Sequence, residues 1–147
     1  MTNPAFRFLS LAALVSCSSI SAAQTRDITI RVIDGRTGEP VPKQRLLIFA
    51  GHDPASADRE ESSFDVTTGP SGTAELSLPA TIQQIKMYTE WRTYCEKTSA
   101  PPMFNVTQII SHGITAPNAY GRAHAQDQPG TVIVYLRPQS LWEKMQH

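Results

Sequence analysis

Apolar and polar residues alternate with a period of two over much of the chain. Ile28, Ile30 and Val32 fall on one face of residues 27–33 and polar side chains on the other, which predicts a half-buried strand. The stretch Asp34-Gly35-Arg36-Thr37-Gly38-Glu39-Pro40 is dense in turn formers. Residues 44–50 are apolar on both faces, as in a central or covered strand. His52 to Ser63 is polar and reads as an exposed loop, followed by a short strand over 64–68 and a tight turn, Gly69-Pro70-Ser71-Gly72. Residues 73–78 alternate again, with Ala74, Leu76 and Leu78 inward. Residues 84–91 make a further strand, with Ile85 and Met87 on one face.

The pattern then changes. Val106, Ile109 and Ile110 have helical spacing and predict a short helix near 104–112 closed by Gly113, with a strand as the competing reading. Ala116 to Gly130 is irregular. Thr131 to Leu136 is the strongest strand signal, apolar and β-branched on both faces, which predicts a buried position. Pro138 stops it. Ser140 then caps a short C-terminal helix over residues 140–145, whose Trp142 is expected to pack it onto the body. Six or seven short strands separated by turns define an all-β fold. The expected architecture is an antiparallel β-sandwich of about seven strands with two short helices.

Residues 1–23 do not belong to that pattern. Arg7, the apolar run Phe8 to Val15 and the small residues Ser21-Ala22-Ala23 read as a signal peptide cut before Gln24. The run is far shorter than the roughly 20 apolar residues of a membrane-spanning helix. Leu14-Val15-Ser16-Cys17 offers a competing cut, the bacterial lipobox, after which Cys17 would carry acyl chains and anchor the protein to a membrane. The organisation is therefore a signal peptide, 1–23, and a single domain, 24–147. The protein is exported, to the periplasm or beyond, or alternatively held as an outer-membrane lipoprotein.

Composition narrows the function. The full chain has 147 residues with 13 basic and 13 acidic side chains. Loss of the signal removes one arginine and leaves a mature charge near −1. A nucleic-acid binder needs a basic surplus to neutralise phosphates, so that class is excluded, as is a polybasic membrane-surface module. No later stretch is apolar enough to cross a membrane as a helix. With Cys17 removed or lipidated, Cys95 stands alone. It is either a buried thiol or the bridge of a disulfide-linked dimer, and an internal disulfide framework is excluded.

The run from Ile30 through Asp34-Gly35-Arg36-Thr37-Gly38-Glu39-Pro40-Val41-Pro42, with Thr68-Gly69-Pro70-Ser71-Gly72-Thr73-Ala74-Glu75-Leu76-Ser77-Leu78-Pro79, resembles a carboxypeptidase regulatory-like domain. These are prealbumin-like (transthyretin-like) sandwiches. The resemblance covers roughly residues 27–90, about half of the mature chain. It departs at Lys43, where the family often has glycine, and after Pro79, where the usual Pro-x-Gly-x-Tyr is absent. It implies a non-catalytic accessory or binding module and brings no catalytic residues.

Enzymatic relatives of such folds fail residue by residue. No histidine is followed by the glutamate of a zinc carboxypeptidase pair, and the C-terminus lacks the Tyr-Arg-Gly-Ser of hydroxyisourate hydrolases. Tyr120 to Gln126 only faintly resembles the iron-binding stretch of intradiol dioxygenases. The first and last strands lack the Lys and Asn of an isopeptide-bonded adhesin. Asp53, Asp58, Glu60, Glu61 and Asp65 lack the spacing of a calcium loop. No metal or other cofactor is expected. Asn105-Val106-Thr107 is a glycosylation sequon, meaningful only in a eukaryotic secretory route.

Trp91 and Tyr94, at a strand end, are the aromatic residues best placed for a binding surface. The expectation is a non-enzymatic exported sandwich that binds an envelope protein, with strand addition as one available mode. The alternative is a carbohydrate-binding module that stacks sugars on Trp91 and Tyr94. The intact mass of the protein purified from its host tests the export reading: a chain beginning at Gln24 is expected, and an acylated chain beginning at Cys17 identifies the lipoprotein instead.

Overall fold

The computed structural model describes residues 24–98 and 100–145. The signal segment and Cys17 lie outside the described residues. Nine strands and three short helices follow in the order β1 (Thr25–Asp34), β2 (Arg45–Gly51), α1 (Pro54–Asp58), β3 (Ser62–Thr67), β4 (Thr73–Pro79), β5 (Gln84–Thr89), β6 (Arg92–Tyr94), β7 (Met103–Asn105), α2 (Val106–Ser111), β8 (Ile114–Thr115), β9 (Thr131–Pro138) and α3 (Leu141–Lys144).

Two sheets face each other. One has the order β4-β1-β9-β6, with β8 also on β9, and the other has the order β3-β2-β5-β7. The period-two faces read from the sequence meet between them. Ile28, Ile30, Val32, Leu76, Leu78, Val132, Val134 and Leu136 from the first sheet pack on Leu46, Ile48, Ile85 and Met87 from the second. Phe104, Val106 and Ile109 close the same core from β7 and α2. α2 exists because Asn105 caps it: its Oδ1 accepts the Gln108 amide at 3.0 Å.

Three features differ from the expectation. The sandwich is mixed rather than purely antiparallel, because β1 and β8 both run parallel to β9. The expected strand over residues 84–91 ends at Thr89, and the chain resumes as β6 in the opposite sheet. The polar loop after β2 contains α1, where Asp53 accepts the Ser56 amide at 2.7 Å and Ser56 and Ala57 are buried.

The outer face of β9 is buried as well. Ile133 and Tyr135 pack with Ile33 and Cys95, against Ala123 and Ala125 of the 116–130 segment. That segment is tied down along its length. Ala116 donates to the Ile133 carbonyl at 2.8 Å, Ala119 to the Cys95 carbonyl at 2.7 Å, and Asn118 to the Gly35 carbonyl at 2.8 Å. The Tyr135 hydroxyl accepts the Ala125 amide, so the buried phenol is satisfied. Cys95 is fully buried under this cover, and burial raises its thiol pKa. An interchain disulfide through Cys95 would first require the segment to lift.

Gly121 lies so close to Gly35 that a methyl group at Gly121 would collide with the Gly35 carbonyl. Gly121→Ala is therefore expected to lift the cover and speed reaction of Cys95 with a thiol reagent in native buffer. Unchanged labelling would show that the segment does not depend on this contact.

Candidate functional site

One end of the sandwich gathers the turn before β2, the β5–β6 connection, the end of β9 and α3. Register explains why. β2 and β5 pair with Leu46 opposite Thr89, which carries Gln44 and Arg45 alongside Glu90 and Trp91. β6 pairs with the end of β9, Arg92 opposite Pro138. Only Glu90 and Trp91 therefore separate a strand of one sheet from a strand of the other.

That short crossing forces an unusual backbone. Trp91 has φ of 63°, in the left-handed region that bulky residues avoid. The Thr89 hydroxyl donates to the Arg92 carbonyl at 2.7 Å, and the buried Gln44 amide donates to the Glu90 carbonyl at 2.9 Å. The turn is thus fastened at both ends while its indole is 81% exposed. Lys43, across the same cleft, also sits in the left-handed region, with φ of 55°. Its amide donates to the Thr68 carbonyl at 2.9 Å, and the Thr68 hydroxyl donates to the Val41 carbonyl at 2.6 Å. Each such non-glycine residue costs about 1–2 kcal/mol of backbone strain.

Two open clefts meet at Trp91. One, of about 460 Å³, is lined by Lys43, Gln44, Arg45, Glu90 and Arg92. The other, of about 550 Å³, lies against Thr89, Gln139 and Lys144. Both are of the size that small ligands occupy.

The charges at this end are mostly matched. Arg45 Nε donates to both Asp65 carboxylate oxygens, at 3.0 and 2.9 Å, and Nη1 donates to Glu90 at 2.8 Å. The Arg45 hydrogen bonds hold the Asp65 pKa below its usual value. The pair is exposed and adds little stability. Arg92 lies 3.3 Å from Asp34. Burial pushes the Asp34 pKa up, but the Arg36 and Thr37 amides together with Arg92 outweigh it and hold it low. Neither Lys43 nor Lys144 forms an ion pair among the described residues.

The structure separates the two aromatic residues named from the sequence. Tyr94 turns inward, packs against the main core and donates its hydroxyl to the Met87 carbonyl at 3.1 Å. Burial drives its phenol pKa well above the ordinary range. Of the two, only Trp91 offers an open ring to a ligand. The residues that sequence reasoning did not join to it are Lys43, Arg45, Arg92 and Lys144. The one signal available was Lys43, which stands where the resembled carboxypeptidase regulatory-like pattern often has glycine.

Trp142 does not pack α3 onto the body. It is 76% exposed, and Leu141 and Met145 on the same short helix are exposed too. α3 is held by polar contacts instead. Ser140 and Glu143 form a capping box, and Arg137 grips Glu143 at 3.0 and 2.6 Å. The Tyr120 ring lies 5.0 Å from the same guanidinium. The Arg137 hydrogen bonds and the Ser140 amide lower the Glu143 pKa from 4.5 to about 2. This stabilising contribution is full above the ordinary carboxylate range and is lost as pH falls through about 2.

The loop acids have separate partners. Asp53 caps α1, Asp58 meets Lys86 at 2.8 Å, Glu61 meets Arg59 at 2.7 Å and Asp65 meets Arg45. Among the described residues, no three His, Cys, Asp or Glu side chains are grouped to hold a metal. No described helix is long and apolar enough to cross a membrane.

No family model matches the chain, and no curated protein matches it. Two solved structures do. One is a mutant of the shaft pilin SpaA from Lactobacillus rhamnosus GG, at 12% identity and a TM-score of 0.47. The match covers 80% of this chain and 49% of the pilin, so the chain spans about half the pilin's length. The other is the C-terminal domain of the T6SS protein TssM from EAEC, at 14% identity and a TM-score of 0.41, covering 80% of this chain and 98% of that one.

Glycine suits a left-handed backbone better than lysine or tryptophan does. Lys43→Gly and Trp91→Gly are each expected to stabilise the protein by about 0.5–1 kcal/mol. Thermal melting should show this as a rise of about 2–6 °C. A fall in either variant would show that the side chain contributes more stability than its backbone costs.

Proposed function

We propose that the protein is a non-enzymatic, exported β-sandwich module that binds a partner at the cell envelope or outside the cell, through the end that carries Trp91. The observation behind this reading is Trp91 itself: a large aromatic side chain, open to solvent, on a backbone that glycine would hold at lower energy. Strain kept in place by surrounding hydrogen bonds is characteristic of binding and catalytic positions. Exposed tryptophan is also the side chain most enriched where binding energy concentrates.

Export rests on the signal-like residues 1–23, with the Cys17 lipid anchor as the alternative. The carboxypeptidase regulatory-like resemblance gains support from the left-handed backbone at Lys43, where that family often has glycine. A Cys95-linked dimer is disfavoured by the complete burial of the thiol. Carbohydrate binding is the second reading. It is favoured by an open indole shared by one cleft rich in charged and amide side chains and a second, more apolar cleft, since a sugar presents both an apolar ring face and a hydroxyl rim.

Sedimentation of the mature protein with envelopes from its host tests the surface. Trp91→Gly should cut the bound fraction at least about fivefold, a typical loss for a binding hot spot, while Trp142→Phe binds as the parent does. Protease treatment of the envelopes should abolish capture if the partner is a protein and spare it if the partner is a glycan. Undiminished binding by a folded Trp91→Gly variant would overturn the assignment of this surface.

A further inference from the structure

Resting on the reading of the Trp91 end as the binding surface, we infer that its ligand is a saccharide bearing carboxylate groups. The indole of Trp91 stacks on a sugar ring, and the ammonium groups of Lys43 and Lys144 take carboxylates on either side.

The charge pattern carries the argument. Arg45 is matched by Asp65 and Glu90, and Arg92 by Asp34. What remains is one lysine in each of the two clefts that share Trp91. Glu90, which lines both clefts, is engaged by Arg45, so the two lysines are the unmatched charges among the residues lining them. A compact ammonium meets a carboxylate as a point charge; the planar fork of Arg45 is already occupied by Asp65 and Glu90, while Arg92 touches Asp34 through Nη1 alone.

The site is built before any ligand arrives. Thr68 pins the Lys43 backbone, and Gln44 and Thr89 pin the Trp91 turn. Little ordering is therefore needed on binding, which favours a shallow, mostly polar contact. The first cleft is lined by charged and amide side chains together with Pro42, Pro138 and Trp91, and both clefts are open rather than enclosed, a poor seat for the buried anchor residue of a protein partner. A nucleic acid would need a continuous basic track, and only two lysines are available.

The test uses the Trp142→Phe protein, in which Trp91 is the sole tryptophan. Its emission is followed during titration with oligogalacturonate, with a neutral malto-oligosaccharide of equal length, and with polyglutamate. Oligogalacturonate should give a saturable change, with an affinity at least about tenfold above that of the neutral sugar and falling with added salt. Lys43→Gly and Lys144→Gln should each weaken it by about three- to tenfold. Glycine suits the Lys43 backbone, so loss of binding there does not report loss of fold. Equal affinity for the neutral sugar, equal or tighter binding of polyglutamate, or no saturable response from the folded protein would each overturn the inference. If envelope capture still depends on Trp91 in that event, only the ligand class is wrong. If capture does not depend on Trp91, the surface itself is wrong.

Discussion

Strand β9 is enclosed on every side, and the rest of the molecule is arranged around that fact. Its inner residues Val132, Val134 and Leu136 face the main core, and its outer residues Ile133 and Tyr135 lie under the 116–130 segment. One edge pairs with β1. The other is divided between β8 at its start and β6 at its end. A strand so apolar on both faces would be insoluble at a sheet surface, so the covering segment and the small edge strands follow from it. Burial of Cys95 is part of the same enclosure.

The division of that edge also shapes the candidate site. β6 can reach the end of β9 only if the chain leaves the second sheet at Thr89 and crosses at once. Two residues make the crossing, and one of them takes a left-handed conformation. The fold could accept glycine there, yet the position holds tryptophan. The opposing turn follows the same logic with Lys43. Strain at both positions is supported by buried Gln44 and Thr68, whose hydrogen bonds tie the two turns to the sandwich. Rigidity at this end is thus a property of the core, lent to two exposed side chains.

α3 shows a different balance. Its apolar side chains are open to solvent, and polar contacts from Arg137 and Ser140 to Glu143 hold it, with the Tyr120 ring set over the Arg137 guanidinium. The helix is only four residues long, too short for one face to dominate its packing. The expectation that Trp142 would seal it to the body assumed that a large aromatic residue must be buried, a rule that holds only in one direction.

Much of the fold was legible in the chain. The alternation at Ile28, Ile30 and Val32 and at Ala74, Leu76 and Leu78 determined both strands and their inward faces, because a period of two leaves one arrangement that buries the apolar set. The double-sided apolar run at Val132 to Leu136 determined that β9 would be interior. The sequon asparagine, Asn105, proved to be a helix cap, and Ser140 capped α3 as its position implied. Only tertiary structure decided the rest. Parallel pairing of β1 with β9 joins strands about a hundred residues apart, and local pattern carries no record of it. The break after Thr89 depends on which sheet each half joins. The inward turn of Tyr94, the outward one of Trp91, and the meeting of Lys43, Lys144 and Trp91 at one end depend on sheet register and on a two-residue crossing. Those are consequences of packing distant segments together, and no window of neighbouring residues contains them.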